Sequence, residues 1–229
     1  MVRPTRKKQI QNLQKAIKDT AWKQIAEEGA PALSLRAIAR ALHITAPAIY
    51  NYFRTRDDLV TALIIDAYTS FGDSQIAARD AVPEKKPVNQ LMAIGLAYRN
   101  WALIHPQRYQ LIFGTPIPGY KAPLEKVLPS GARSMSALVS VVEALRVAGK
   151  LRSDEFPEVS RAYKPQFEMW KTYVGEVDLL SVSIAVLIWA CVHGIVSLEI
   201  AQNLPPFGTN GDALYLYEMN SISRQFIKE

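Results

Sequence analysis

Residues 34–59 read SLRAIARALHITAPAIYNYFRTRDDL. Ser34 is a capping residue, and Leu35, Ile38, Ala39 and Leu42 recur behind it at one- to four-residue steps, so LRAIARAL forms a short helix with one apolar face. His43-Ile44 interrupts it as a tight turn. Thr45 then caps a second short helix that carries Pro47 in its first turn, where a missing N–H costs nothing. Ile49 and Phe53, four apart, hold this second helix against Leu35, Ile38 and Leu42. Thr55 with Asp58 three residues on has the spacing of a capping box and starts a further helix at Arg56, running towards Ser74. Two short helices joined by so brief a turn make a helix-turn-helix, whose second helix can enter the DNA major groove. Ala46, Pro47 and Ala48 are small enough for close approach to bases. Thr45, tyrosine hydroxyls and arginines are suited to phosphate oxygens.

The charge distribution points the same way. The chain has 229 residues and a formal net charge of +6, yet residues 1–56 hold 11 Lys/Arg against 3 Asp/Glu, and the remainder holds 16 against 18. All of the net positive charge therefore sits in the first quarter, as in a polyanion-binding module joined to a nearly neutral one. Arg3, Arg6, Lys7 and Lys8 would add salt-dependent affinity that does not read sequence.

Outside this stretch the pattern is helical. Ile10, Leu13, Ile17, Ala21 and Ile25 mark one buried stripe on a helix over 9–28, closed by Gly29 and Pro31. A linker at 81–88 precedes helices at about 88–104 and from Pro106 to Gly114. GTPIPGYKAP (114–123) is a loop, helical pattern resumes over 133–148, and 150–175 is mixed. A long apolar helix spans about 176–203. The breaker LPPFG separates it from a last helix starting at Asp212, on which Tyr215, Met219, Ile222 and Phe226 form a seam for another helix. The 20 residues 179–198 lack Asp, Glu, Lys and Arg and are long enough to cross a bilayer. Acidic flanks at Glu176, Asp178 and Glu199, without nearby basic residues, favour a buried or subunit-interface helix instead.

SLRAIARALHITAPAIYNYFRTRDDL resembles the N-terminal domain of the tetracycline-repressor (TetR) family of transcriptional regulators, through the helix-turn-helix, the Tyr-x-Tyr-Phe run and the basic residue before an acidic pair and Leu. The likeness covers about residues 9–63. One departure is His43, where the family usually has Gly in the turn. IWACVHGIVSLEI, with Trp189, His193 and Gly194, and HPQRYQLIFG (105–114) resemble a Trp-His-Gly subclass of C-terminal domains.

The resemblance implies an all-α fold: a DNA-binding domain over 1–56, with a connecting helix to about 78, and an effector-binding and dimerisation domain over 80–229. It implies a homodimer that binds double-stranded DNA at a palindromic operator and is released by a small-molecule effector; the single cysteine and an N-terminal stretch without an apolar secretory core make the cytoplasm the expected location. Carried over by position, Arg36 reads a base edge. Thr45, Tyr50 and Arg56 hold phosphates, Ala46, Pro47 and Ala48 face bases, and Asn51 and Tyr52 serve either role.

The helices at 176–203 and 212–228, with the Tyr215, Met219, Ile222 and Phe226 seam, are the expected two-fold interface. An effector pocket is expected from Trp101, His105, Tyr109 and Phe113, with Trp170, Trp189 and His193 across the domain, suiting an aromatic or lipophilic effector. No nucleotide-binding or nucleophile motif is present. Three scattered histidines and the single Cys191 give no metal-ligand spacing, so neither catalysis, metal nor cofactor is expected. The alternative is an architectural DNA-binding protein without effector control.

Overall fold

The computed structural model describes residues 6–152, 156–204 and 211–228, with side chains from residue 13 onward. Arg3, the side chains of Arg6, Lys7 and Lys8, and most of LPPFG lie outside the described residues. The described helices are α1 (Arg6–Glu28), α2 (Leu35–Ala41), α3 (Ala46–Tyr50), α4 (Arg56–Asp80), α5 (Pro87–Ile104), α6 (Pro106–Phe113), α7 (Leu124–Val147), α8 (Lys164–Val174), α9 (Leu179–Ile200) and α10 (Asp212–Phe226). Among the described residues β structure is limited to one antiparallel bridge, Leu151 to Ile227. The fold is all-α.

The chain forms two compact units. One comprises residues up to 67 together with 107–127; the other comprises 68–106 and 128–229. The sequence reading placed all of 80–229 in one module, whereas α6 and the loop after it pack with the N-terminal helices. In this first unit Ile17, Ala21 and Ile25 of the α1 stripe are buried, with Leu33, Ile38, Ile49, Phe53, Leu59 and Leu63. Full burial of each large aliphatic side chain contributes about 1.5–3 kcal/mol. Gly29 ends α1 at φ +81°, a left-handed conformation that a Cβ would disfavour. The 107–127 segment is tied down by the Arg108 guanidinium over the Trp22 ring, 5.0 Å from its centroid. A 2.9 Å hydrogen bond between the Tyr120 and Thr61 hydroxyls holds its far end.

In the second unit α5, α9 and α10 pack against one another, and α8 lies on α9. α4 and α7 approach closely at Gly72, where a Cβ would lie 2.6 Å from Arg133 Cβ and 3.0 Å from Ser134 N. α5 and α10 meet where the Met219 side chain lies over Gly95 and the Tyr215 hydroxyl donates to the Gly95 carbonyl. At one end of these helices the Arg99 guanidinium makes a two-pronged contact with Glu199, at 2.7 and 2.6 Å. It also pairs with Asp212 at 2.7 Å and lies over the Tyr215 ring. These carboxylates hold Arg99 protonated, raising its pKa further.

Several expectations change. α4 continues to Asp80 and α7 begins at Leu124, with Pro129 in its second turn, so both helices are longer than the local pattern indicated. The mixed region 150–175 contains α8. The seam on α10 needs correction: Tyr215, Met219, Ile222 and Phe226 are each 1% exposed, because this face packs inside the subunit. They cannot form a surface between two chains. The exposed large apolar residues of α10 are Leu216 and Tyr217, and those of α9 are Leu187 and Leu198. α9 is long and apolar enough to span a membrane by length and composition, but it packs against α5, α8 and α10.

Candidate nucleic-acid interface and effector cavity

The reading element is positioned by local hydrogen bonds. Ser34 Oγ accepts from Ala37 N at 3.4 Å and caps α2. Gln24 on α1 accepts from Ser34 N at 3.1 Å and donates to Ala32 O at 3.4 Å, fixing where α2 starts. α2 ends in a Schellman arrangement: His43 N donates to Arg40 O and Ile44 N to Ala39 O. That arrangement needs a left-handed residue, and His43 takes it at φ +53°. The chain therefore makes the turn that Gly usually makes, at a strain of about 1–2 kcal/mol.

α3 follows at once. It is shorter than the pattern implied, because Tyr52 N and Phe53 N both turn back to Ile49 O and end the helix near Tyr50. Thr45 occupies the N-cap position, but its hydroxyl makes no capping bond to α3. The Thr55/Asp58 capping box is present in full: Thr55 N donates to Asp58 Oδ2 at 3.0 Å and Asp58 N to Thr55 Oγ1 at 3.0 Å.

Ile49 at 0% and Phe53 at 4% exposure face inward. Arg36, Thr45, Ala46, Pro47, Tyr50 and Asn51 are exposed, while Ala48 and Tyr52 are half-buried. Arg36, Tyr50, Arg54 and Thr55 line one shallow surface depression. Arg56 lines the same depression but is also engaged from within. Its Nε donates to Leu33 O at 3.1 Å and its Nη2 to Ala30 O and Pro31 O at 3.2 and 3.0 Å, so it braces the turn between α1 and α2.

The second unit contains a partly enclosed cavity with a free volume of about 20 Å³, bounded by α4, α5, α7, α9 and α10. Its walls are apolar except for Gln75, Tyr98, Ser134 and Trp189, and no charged side chain lines it. Ser134 Oγ donates to Gln75 Oε1 at 2.9 Å, and Gln75 Nε2 donates to Phe71 O at 3.2 Å. The Tyr98 hydroxyl is 2.8 Å from His193 Nδ1, and Ser197 Oγ is 3.3 Å from Nε2. Trp189 stacks on the same imidazole, with centroids 4.8 Å apart and planes at 21°. Burial pushes the His193 pKa below its ordinary value, which favours the neutral ring. A second, open groove of about 720 Å³ is lined by Glu143, Arg146, Glu168, Lys171 and other residues, and these four side chains form two ion pairs.

The expected pocket residues separate accordingly. Trp189 lines the cavity and His193 sits behind Tyr98. Trp101 is core: its Nε1 donates to Ser70 Oγ at 3.0 Å, and its ring packs on Phe71 and His105. Tyr109 and Phe113, whose rings are 5.0 Å apart, belong to the first unit. Trp170, beside Tyr173 on α8, lines neither the cavity nor the groove. Gln75, Tyr98, Ser134 and Met135 line the cavity without a sequence signal that points to them, and Met219, expected in the α10 seam, lines it too. They lie on four helices, and no local spacing links them. Among the described residues no cluster of His, Cys, Asp and Glu could hold a metal ion. Burial, with Glu218 nearby, raises the Cys191 pKa and keeps it a thiol.

Comparison with known proteins agrees with this architecture. Residues 17–63 match the family model for bacterial regulatory proteins of the tetR family, and residues 91–222 match the tetracyclin repressor-like C-terminal domain. The HTH-type transcriptional regulator Rv1816 of Mycobacterium tuberculosis is 33% identical over 193 residues, covering 83% of this chain and 81% of that protein. The crystal structure of the regulatory protein SCO4313 superposes with a TM-score of 0.77 at 34% identity, covering 95% of this chain and 98% of that one. SmeT in its triclosan complex shares the fold, with a TM-score of 0.63 at 12% identity, covering 94% of this chain and 92% of that one. With both its helix-turn-helix head and its helical C-terminal region matched, the chain belongs to the TetR family of DNA-binding transcriptional regulators.

Proposed function

We propose that the protein is a ligand-released repressor that acts in the cytoplasm as a homodimer on a palindromic operator. The observation that carries this reading is the exposed surface of α2 and α3, where Arg36, Thr45, Ala46, Pro47, Tyr50 and Asn51 face solvent while Ile49 and Phe53 hold the element from behind. Arg36 reads a base edge, because residues 46–48 carry no strong hydrogen-bonding side chain. Ala46, Pro47 and Ala48 lie against the bases, with Asn51 and Tyr52 beside them. Thr45 and Tyr50 hold phosphates. Arg56 contributes chiefly by bracing the head, since its guanidinium already serves three backbone carbonyls.

The two-fold surface is the exposed stripe Leu187, Ala190, Gly194 and Leu198 of α9 with Leu216 and Tyr217 of α10. Two copies would form a four-helix bundle whose Gly194 permits close approach. A dimer presents two reading helices to two half-sites, which accounts for a palindrome. The effector occupies the apolar cavity around Trp189 and favours a state whose reading helices no longer match the groove spacing. In the same fold, SmeT forms a complex with triclosan.

Selection of bound duplexes from a random DNA pool at near-physiological salt tests the reading. An inverted repeat should emerge. Arg36→Ala should cost about 1–3 kcal/mol at one base pair of each half-site. A loss spread evenly over all sequences would show that Arg36 only contacts phosphate, and recovery of no motif would favour an architectural role without sequence reading.

A further inference from the structure

We infer that the cavity selects uncharged lipophilic molecules carrying one hydroxyl or carbonyl group, which bonds to the Gln75–Ser134 pair. This inference rests on the effector reading of the same cavity. Gln75 is 2% exposed and Ser134 is 7% exposed, and both line the cavity wall between α4 and α7.

The Phe71 carbonyl can only accept, so the Gln75 nitrogen must face it and the Gln75 oxygen must face the Ser134 hydroxyl. One amide N–H is used in this way; a side-chain amide has two. The second N–H is a buried donor, and the Ser134 oxygen, donating its own proton to Gln75, keeps its lone pairs as an acceptor. A donor and an acceptor side by side match a ligand hydroxyl, which can do both, or a carbonyl, which takes the N–H.

The remaining lining repels charge. Leu91, Ile94, Leu138, Ile188 and Val192 offer no counterion. The nearby cation on α5, Arg99, is not part of the lining and is already engaged by Glu199 and Asp212. A carboxylate or ammonium group entering here would lose its hydration without a partner of opposite charge. Size is adjustable where charge is not. The present 20 Å³ is about the room of one water molecule. However, two of the wall residues are methionines, Met135 and Met219, whose unbranched chains rearrange readily. Met219 lies over Gly95, so its tip can move along a stretch of helix that lacks a Cβ.

The test uses the full-length protein and three compounds of matched shape: benzyl alcohol, toluene and benzoate, followed by ligand-observed NMR titration. Benzyl alcohol should bind several-fold more tightly than toluene, and about a hundredfold more tightly than benzoate. Gln75→Leu and Ser134→Ala, each checked for an unchanged helical circular dichroism spectrum, should reduce the preference for the alcohol over toluene several-fold. Benzoate binding as tightly as the alcohol would overturn the inference, as would survival of the preference in both variants or failure of all three compounds to bind.

Operator affinity, measured in parallel, separates this inference from the reading beneath it. Alcohol binding without a change in operator affinity leaves the site assignment standing and removes ligand release. Operator release by benzoate but not by the alcohol keeps ligand release and removes the proposed selectivity.

Discussion

The two units solve different problems with different interactions. Around α2 and α3, helices of seven and five residues are too short to be stable alone. They are held by directional bonds placed every few residues: the Ser34 cap, the Schellman turn at His43, the Thr55/Asp58 box and the Arg56 fork on three carbonyls. Around the cavity, helices of 15–25 residues pack through broad apolar faces, with methionines, a glycine contact and few polar groups. Directional bonds fix a surface to one geometry, which suits reading a groove. Apolar packing with methionines in the wall can rearrange, which suits the guest-admitting role proposed for the cavity.

Substitutions can break this contrast. The largest effect is expected where the second unit departs from it, at the largely buried Arg99–Glu199 pair and its neighbour Asp212. Arg99→Ala leaves Glu199 largely buried without its cation and should cost about 3–5 kcal/mol in urea unfolding. A loss below about 1 kcal/mol would mean that water replaces the guanidinium there.

Acid should act next. Glu143 accepts from Arg146 at 3.0 and 2.7 Å and from Ser181 at 2.6 Å, and these bonds, the Arg146 pair foremost, hold its pKa at about 2 against an ordinary 4.5. Its stabilisation is therefore complete above about pH 4.5 and is lost as pH falls towards 2, a change of about 2 kcal/mol after allowance for its partial exposure. Glu143→Gln should remove that part of the pH dependence. His193, whose pKa is lowered by burial, adds an earlier loss that begins as pH drops below its ordinary 6.5, because the unfolded chain then binds a proton that the folded ring resists.

In the first unit, Arg56→Ala should cost about 1–2 kcal/mol of stability, since its bonds join a charged donor to backbone carbonyls at a partly exposed site. Operator affinity measured where the variant remains fully folded should fall by less than about tenfold. A larger fall, without loss of stability, would return Arg56 to the phosphate backbone.

The smallest effect is expected from His43→Gly, which removes left-handed strain but loosens the unfolded chain, for a net gain of about 1 kcal/mol or less. A destabilised His43→Gly variant would mean that the imidazole itself contributes to the turn.

The same contrast explains what could be read from the sequence. The Ser34 cap, the Thr55/Asp58 box, the left-handed position at residue 43 and the inward pair Ile49 and Phe53 are signals that lie within a few residues of what they control, and each has its counterpart in the structure, whereas Thr45 takes its N-cap position without a capping bond. The cavity has no such signature. Gln75 and Ser134 are 59 residues apart, and Tyr98 and His193 are 95 apart. Only packing brings them together. The seam on α10 shows a further limit: periodicity identifies an apolar face but not whether the same chain or another covers it. Here Met219 and Tyr215 cover Gly95 within the subunit. Likewise, the helical character of α7 before residue 133 was masked by Pro129 and Gly131, which individually disfavour a helix that the packing nonetheless retains.

The grouping of residues 107–127 with the N-terminal helices bears on attempts to build hybrid sensors from proteins of this kind. A graft that exchanges only the first 67 residues would separate Trp22 from Arg108 and Thr61 from Tyr120, replacing both partners' surroundings with mismatched ones. The exchangeable part is discontinuous and has three cut points, near residues 67, 107 and 127. A chimera joined at the first alone should inherit a foreign head without the segment that completes it.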